Sequence, residues 1–351
     1  MASSLNNSAW LEWMATLMAG VSGKGASRQS YAATLPPDRF YCLLDELPLH
    51  LVPQRAQRSL RMREGHHQPL YLNPDCIFCT GAEIPGELAS RPDLLSGFAL
   101  QGTVAWVRSG STGNLLPFWL GPELSGVIRS LRPNEALPAG VSDIHRRVLF
   151  GAGVLQTQDR AAWAREPDES FRDAALAFRE KGYAPIGDLI HPFHVAALRR
   201  YYRCLIRTGA IRLGDGQSPR RYVAYNEPVA RFFHHEIAPG LSAVAEALKP
   251  SYVYLASYLS GAELKKHTDR EQCEFSVTLC LDFSPEPALA TPWPIRLDTA
   301  NGSVRVYQAL GDGLAYRGTR LPHYRDPLGA GKTSTSIFFH YVASDFAGSL
   351  D

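Results

Sequence analysis

The texture of the chain changes at Pro250, and that change limits the fold more than any other feature. Beyond it come six short runs rich in aromatic, β-branched and small apolar residues: 252–259, 275–283, 295–297, 304–307, 311–316 and 333–342. Runs of this length and composition are strands. Asn301-Gly302, between the third and fourth runs, has the makeup of a two-residue hairpin turn. Before Pro250 the pattern is helical. Helices followed by at least six strands is an α+β order, and so many short strands close into a barrel or pack as a sandwich. The 25 prolines and 29 glycines are scattered along all 351 residues, which excludes a long helical bundle.

The helical half reads in order. Pro167-Asp168-Glu169 opens a helix, since proline suits the first position and acids suit the first turn. Phe171, Ala174, Ala175 and Phe178 give it an apolar face, and Gly182 stops it. Tyr183-Ala184-Pro185-Ile186 is extended. Pro192 starts a second helix with Val195, Leu198, Tyr202 and Leu205 on one stripe, ending near Gly209. Asn226 with Pro228 starts a third, expected to end by Pro239-Gly240. A fourth is expected to run to Lys249-Pro250. Nearer the start, 9–18 is helix-like and 103–107 strand-like. Residues 115–120 are apolar but hold Pro117, which suits an edge or a loop. Residues 131–140 make the best linker. The expected division is an unassigned mixed module over 1–150, serving substrate recognition or dimerisation, and a second domain over 151–351.

Chemistry concentrates in His267-Thr268-Asp269 and His323. Two side chains one residue apart on a strand point to the same face, so both reach one metal. A ligand from a distant strand completes a triangle. Two neutral imidazoles and one carboxylate suit Fe(II) and leave open positions.

The surroundings carry a resemblance. Tyr258-Leu259-Ser260-Gly261, leading through Lys265-Lys266 into His267-Thr268-Asp269-Arg270, resembles the iron- and 2-oxoglutarate-dependent dioxygenases, especially the prolyl-hydroxylase-like and phytanoyl-hydroxylase-like branches. That family carries Tyr-x-x-Gly ahead of H-x-D and an apolar strand after it. A Gly-Asp pair, here Gly311-Asp312, precedes the strand leading to the distal His. A basic residue follows nine or ten positions on, here Lys332. The resemblance covers residues 168–347. It implies a double-stranded β-helix, a cupin-like jelly-roll barrel, with His267, Asp269 and His323 holding Fe(II). It further implies 2-oxoglutarate as cosubstrate, converted with O2 to succinate and CO2 while a substrate C–H bond is oxidised, usually by hydroxylation. Related halogenases replace the carboxylate, so Asp269 favours hydroxylation.

The far carboxylate of 2-oxoglutarate needs a cation. Lys332 is the first choice, because Lys332-x-Ser334 resembles the family's Arg-x-Ser pair; Tyr258, nine residues before His267, matches a family tyrosine on the same carboxylate. Arg325 is the second choice and Arg317 the third. Lys265, Arg270 and Gln272 are candidates for touching substrate, and 220–227 for a lid. A binding protein without catalysis, or a cupin-like oxygenase not using 2-oxoglutarate, are the other readings of the same barrel.

Other signals are weaker. Cys76-Ile77-Phe78-Cys79 with His66 and His67 lacks the second ligand pair of a zinc fold, and reads as two structural cysteines. His234-His235-Glu236 lies on a helix, where adjacent rings diverge, and reads as a surface or capped pair. His340 reads as a hydrogen-bonded core histidine, and Cys273 and Cys280 as core thiols. Lys and Arg number 36 against 34 Asp and Glu, a net charge of +2, which gives no support for a nucleic-acid partner. No run approaches the roughly 20 apolar residues of a membrane span. Residues 1–20 hold Glu12 and no Lys or Arg, unlike a secretory signal. The expectation is a cytoplasmic enzyme acting on a small metabolite, amino acid or peptide-like product, with no membrane partner and with a homodimer open.

Overall fold

The computed structural model describes residues 30–57, 67–158 and 169–350. The expected helix at 9–18, His66, Pro167 and Asp168 lie outside them.

The first part holds a three-stranded antiparallel sheet of β1 (Ile77–Thr80), β2 (Thr103–Arg108) and β3 (Leu115–Leu120) in that order. Pro117 sits in β3, an edge strand, where the lost N–H breaks no ladder. Helices α1 (Pro122–Arg129) and α2 (Asp143–Gly151) follow. Residues 131–140 do not run free. Leu72 N–H donates to Glu135 O at 2.9 Å, and Leu137 N–H donates to Leu70 O at 2.8 Å.

From Glu169 on, three α-helices and eleven strands follow. They are α3 (Glu169–Lys181), β4 (Tyr183–Ile186), α4 (Pro192–Arg207), β5 (Arg212–Leu213), β6 (Arg221–Tyr225), α5 (Pro228–Val244), β7 (Leu248–Tyr258), β8 (Leu264–His267), β9 (Phe275–Ser284), β10 (Ile295–Thr299), β11 (Gly302–Val306), β12 (Gly313–Arg317), β13 (His323–Arg325) and β14 (Thr333–Ala343). The larger sheet has the order β4-β12-β9-β14-β7-β6-β5, and the smaller β8-β13-β10-β11. All neighbours are antiparallel. From β7 onward the chain alternates between the sheets, passing to the smaller at β8, β10–β11 and β13 and returning at β9, β12 and β14. This is the mixed α/β arrangement that the change at Pro250 predicts.

Side-chain alternation separates two cores. Val253 and Leu255 of β7, with Ile337, Phe339 and Tyr341 of β14, join Leu198 of α4 and Phe233 of α5. Tyr252, Tyr254, Ala256 and Tyr258 of β7 face the other way, with Phe338 and Trp293. A register shift in β9 between Cys280 and Asp282 changes the phase, so Phe283 joins Cys280 in this second cluster. The first cluster also takes in Leu35, Phe40 and Trp119, so the described N-terminal part packs on the same helices as the large sheet.

Five expectations need correction. The helix begun at Pro228 does not stop at Pro239 but continues to Val244, and the fourth helix is absent because β7 starts at Leu248. Proline at this position removes one donor from the helical ladder. The Asn114 amide compensates by donating to Glu236 O at 2.8 Å and to His235 O at 3.4 Å. Gly240, one residue on, lies where a Cβ would meet the Phe171 ring at 2.7 Å, so glycine lets α5 lie close against α3. The cap of α5 is Glu227, whose carboxylate accepts from the N–H groups of Val229 and Ala230. The hairpin turn is Ala300-Asn301, with Gly302 opening β11 at φ +105°. Residues 221–225 form a strand paired with β7 rather than a lid. His234 is buried, with Nε2 at 2.7 Å from His340 O.

Among the described residues, no helix is long and apolar enough to cross a membrane. His194 of α4 is fully enclosed. Its Nε2 donates to Pro117 O at 2.8 Å, and its Nδ1 has no partner. Burial, with a smaller contribution from His191, pushes its pKa down to about 3. A base whose folded pKa is depressed contributes stability above its unfolded pKa, near 6.5, and loses it as pH falls toward the folded value. Urea unfolding at pH 7.5 and pH 5 is expected to show a loss of about 2 kcal/mol from this residue. A His194→Gln variant is expected to lack that share of the slope.

Candidate metal centre

The site begins with the pairing of β8 and β13, in which His267 lies directly opposite His323. Their rings stand 4.3 Å apart between centroids. Each ring is fixed through its Nδ1, at 2.8 Å from Lys265 O for His267 and 2.9 Å from Leu321 O for His323. A carbonyl accepts only, so Nδ1 carries the proton and Nε2 keeps its lone pair. Both Nε2 atoms lie 3.5 Å from Asp269 Oδ1. Among the described residues these three form one of two groups that bring three ligand atoms within 4.8 Å of one another. The second group shares Asp269 and adds Cys273 and His340.

Asp269 lies just beyond β8. Its N–H donates to Gly318 O at 2.9 Å, and Gly318 N–H donates to Glu274 O at 3.0 Å. A Cβ at Gly318 would run into Asp269 Oδ2, Cys273 O and Ser276 Oγ, so only glycine admits the carboxylate. Ser276 Oγ donates to Asp269 Oδ2 at 2.7 Å and lies 2.9 Å from His340 Nδ1. One carboxylate oxygen is thereby occupied, and Oδ1 is left facing the two imidazoles. Burial pushes the Asp269 carboxyl up, but its interactions with the His267 and His323 imidazoles outweigh it and hold the group well below the usual carboxylate range. His267 is shifted up by the neighbouring Asp269 carboxylate, against burial and the charge of Arg221. Burial pushes His340 down to about 4. The triad is an anionic carboxylate facing two imidazole lone pairs, a donor set for a divalent first-row metal. His267 is its accessible member, with 35% of its side chain exposed against 3% for His323.

The candidate anchors fall in different places. Arg325 is buried at 4% exposure. Its Nη1 donates to Trp293 O at 2.7 Å and its Nη2 to Gln308 Oε1 at 3.3 Å, while Nε has no partner. Among the described residues no carboxylate pairs with it. The hydroxyls of Tyr258 and Ser336 are also buried without partners. Burial raises the Tyr258 pKa, which keeps its hydroxyl protonated as a donor. Ser334 is buried opposite Tyr258 in the β14–β7 register. Lys332 precedes β14, half-buried, with its side chain alongside Gly329. Arg317 packs its guanidinium over Phe178 and Phe275, away from this group. Lys265 is exposed and contributes its carbonyl to His267. Arg270 is exposed, with its guanidinium 4.6 Å from the Tyr252 ring centre. Gln272 is buried, and its carbonyl accepts from Ser251 Oγ at 2.6 Å.

Sequence reasoning missed Ser276, Gly318, Gln308 and the pair Arg221–Asp215. Ser276 and Thr278 alternate with Phe275, Val277 and Leu279, so a polar inner face of β9 was available as a signal. Gly318 had no such signal, because its role is a contact with a residue 49 positions earlier. Cys76 and Cys79 belong to no ligand group among the described residues, and burial raises the Cys76 thiol to about 12. Cys273, Cys280 and His340 are buried, as expected.

No protein-family model and no curated protein sequence matches the chain. Solved structures do resemble it. One is the non-haem α-ketoglutarate-dependent epimerase SnoN from nogalamycin biosynthesis, at 14% identity and a TM-score of 0.42, over 53% of this chain and 84% of that one. A prolyl-4-hydroxylase from Pseudomonas putida aligns at 15% identity and 0.41, over 49% and 98%. An oxidoreductase of the 2OG-Fe(II) oxygenase family from Burkholderia pseudomallei aligns at 14% and 0.40, over 51% and 92%. At these scores no residue's role carries over from them.

Gly318→Ala is expected to displace Asp269 and weaken binding of Co(II), used as a spectroscopic probe of the triad, by about tenfold or more. The d–d absorption spectrum during titration reads this directly.

Proposed function

We propose that the chain is a non-haem Fe(II)- and 2-oxoglutarate-dependent oxygenase that hydroxylates a C–H bond of a small metabolite, amino acid or peptide-like product. The observation that carries this reading is the pairing of two features in one barrel. His267, Asp269 and His323 turn three metal-ligand atoms toward one point, and Arg325, a buried cation without a carboxylate, stands with the unpaired Tyr258 hydroxyl. Burying an unpaired guanidinium costs several kcal/mol, and orphaned buried polar atoms call for a partner. A dicarboxylate supplies one. The alternation of β7–β14 between two sheets supports a double-stranded β-helix for residues 151–351. The described part of residues 1–150 then covers the helices behind its larger sheet.

In this reading His267, Asp269 and His323 hold Fe(II). Arg325 and Tyr258 bind the far carboxylate of 2-oxoglutarate, with Ser334 and Ser336 beside them. Lys332 gives way to Arg325 because a half-buried ammonium keeps its water, whereas a buried guanidinium has lost its own and gains more from an anion. Ser276 and His340 keep Asp269 turned toward the imidazoles. Trp293 stacks over Arg325, 4.8 Å from its guanidinium carbon, and Phe338 adds to the apolar wall that excludes water. A bound Fe(II), with 2-oxoglutarate and O2, supplies oxidation of the substrate C–H to C–OH as 2-oxoglutarate becomes succinate and CO2.

Anaerobic titration with Fe(II) and 2-oxoglutarate is expected to give a weak visible charge-transfer band, absent in His267→Ala. No band, together with no succinate formed from any substrate pool, would remove the proposal. Arg325→Ala is expected to weaken 2-oxoglutarate binding by about two orders of magnitude, and Lys332→Ala by less than about threefold. The reverse ranking returns the anchor to Lys332.

A further inference from the structure

Beside the triad lies an aromatic shelf that the metal and 2-oxoglutarate do not use. Tyr252 and Tyr254 share the inner face of β7, and Tyr225 stands next to them on β6. The Tyr225 ring is 4.5 Å from Tyr254 and 6.3 Å from Tyr252, and Tyr254 is 6.0 Å from Phe338. Tyr225 is 63% exposed, an unusual state for a large ring flanked by two others. The shelf connects to the triad through His340. Tyr252 packs 4.7 Å from His340, which reaches Asp269 through Ser276.

The shelf is also rigid and positively flanked. Asp215 Oδ2 accepts from Tyr254 Oη at 2.7 Å and from Arg221 Nη2 at 2.5 Å, which fixes the ring and uses up that guanidinium's charge. Arg270 is different. It follows Asp269 in the chain and lies over the Tyr252 ring, and among the described residues it pairs with no carboxylate. A flat ring on Tyr225 would meet stacking partners, and an acidic group on that ring would meet Arg270. An aliphatic acid would satisfy only the second contact, and a neutral ring only the first.

We infer that Tyr225, Tyr252, Tyr254 and Arg270 form the substrate subsite, and that the substrate presents a planar aromatic ring bearing a carboxylate or similar acidic group. As a substrate assignment this rests on the oxygenase reading; as a binding site it stands by itself.

The test is calorimetric titration of the full-length protein, under argon, with 2-naphthoate and with cyclohexanecarboxylate. The aromatic acid is expected to bind at least about tenfold more tightly. Tyr225→Ala and Arg270→Gln are each expected to weaken it by about fivefold or more, with Tyr225→Phe restoring the parent affinity. Tyr225 is exposed, so its replacement leaves the core intact, and an unchanged melting curve checks this. Equal affinity for the two acids, or variants that bind 2-naphthoate like the parent, overturns the inference. Titrating 2-oxoglutarate on the same samples separates the two proposals. Binding of 2-oxoglutarate that depends on Arg325, without a naphthoate preference, removes the shelf and leaves the oxygenase. A naphthoate preference without 2-oxoglutarate binding does the reverse.

Discussion

The antiparallel pairing that sets His267 opposite His323 is the constraint on which the rest of the centre depends. Two imidazoles on neighbouring strands come close only if the register is right, and a one-residue slip would send one of them to the other face. The same register leaves Lys265 O and Leu321 O in reach of the two Nδ1 atoms, so pairing also sets the tautomers. Asp269 is added from outside the ladder and depends on a different device, the bond to Gly318 O and the space left by a missing Cβ.

Around that centre the fold separates two environments by strand periodicity. One face of β7, β9 and β14 is sealed by α4, α5 and the N-terminal part. The opposite face carries hydroxyls, an arginine and aromatic rings into the space between the sheets. Groups such as Arg325 and Tyr258 are costly there when unpaired. Their retention in an otherwise apolar interior is the strongest physical sign that this face meets a polar ligand.

Much of this was legible in the sequence. The strand runs after Pro250 and the helix begun at Pro192 are written in local periodicity and turn chemistry. His267-Thr268-Asp269 and His323 stand out because their spacing suits strands. What was not legible depended on distant contacts. Pro239 looked like a helix stop, since the amide that compensates for it belongs to Asn114. The burial of Arg325 was not legible either, because spacing from His323 carries no information on burial.

The sequence by itself determined the helices begun at Pro192 and Pro228, the strand runs after Pro250, the residue types of the His267, Asp269 and His323 triad and the presence of several candidate cations. Those follow from short-range rules of periodicity, backbone freedom and residue chemistry. Only the tertiary structure decided which cation is stripped of water, which glycine makes room for the carboxylate, and that four aromatic rings from three strands meet beside the triad. Each of these is a property of residues far apart in the chain, set by the register and winding of the sheets.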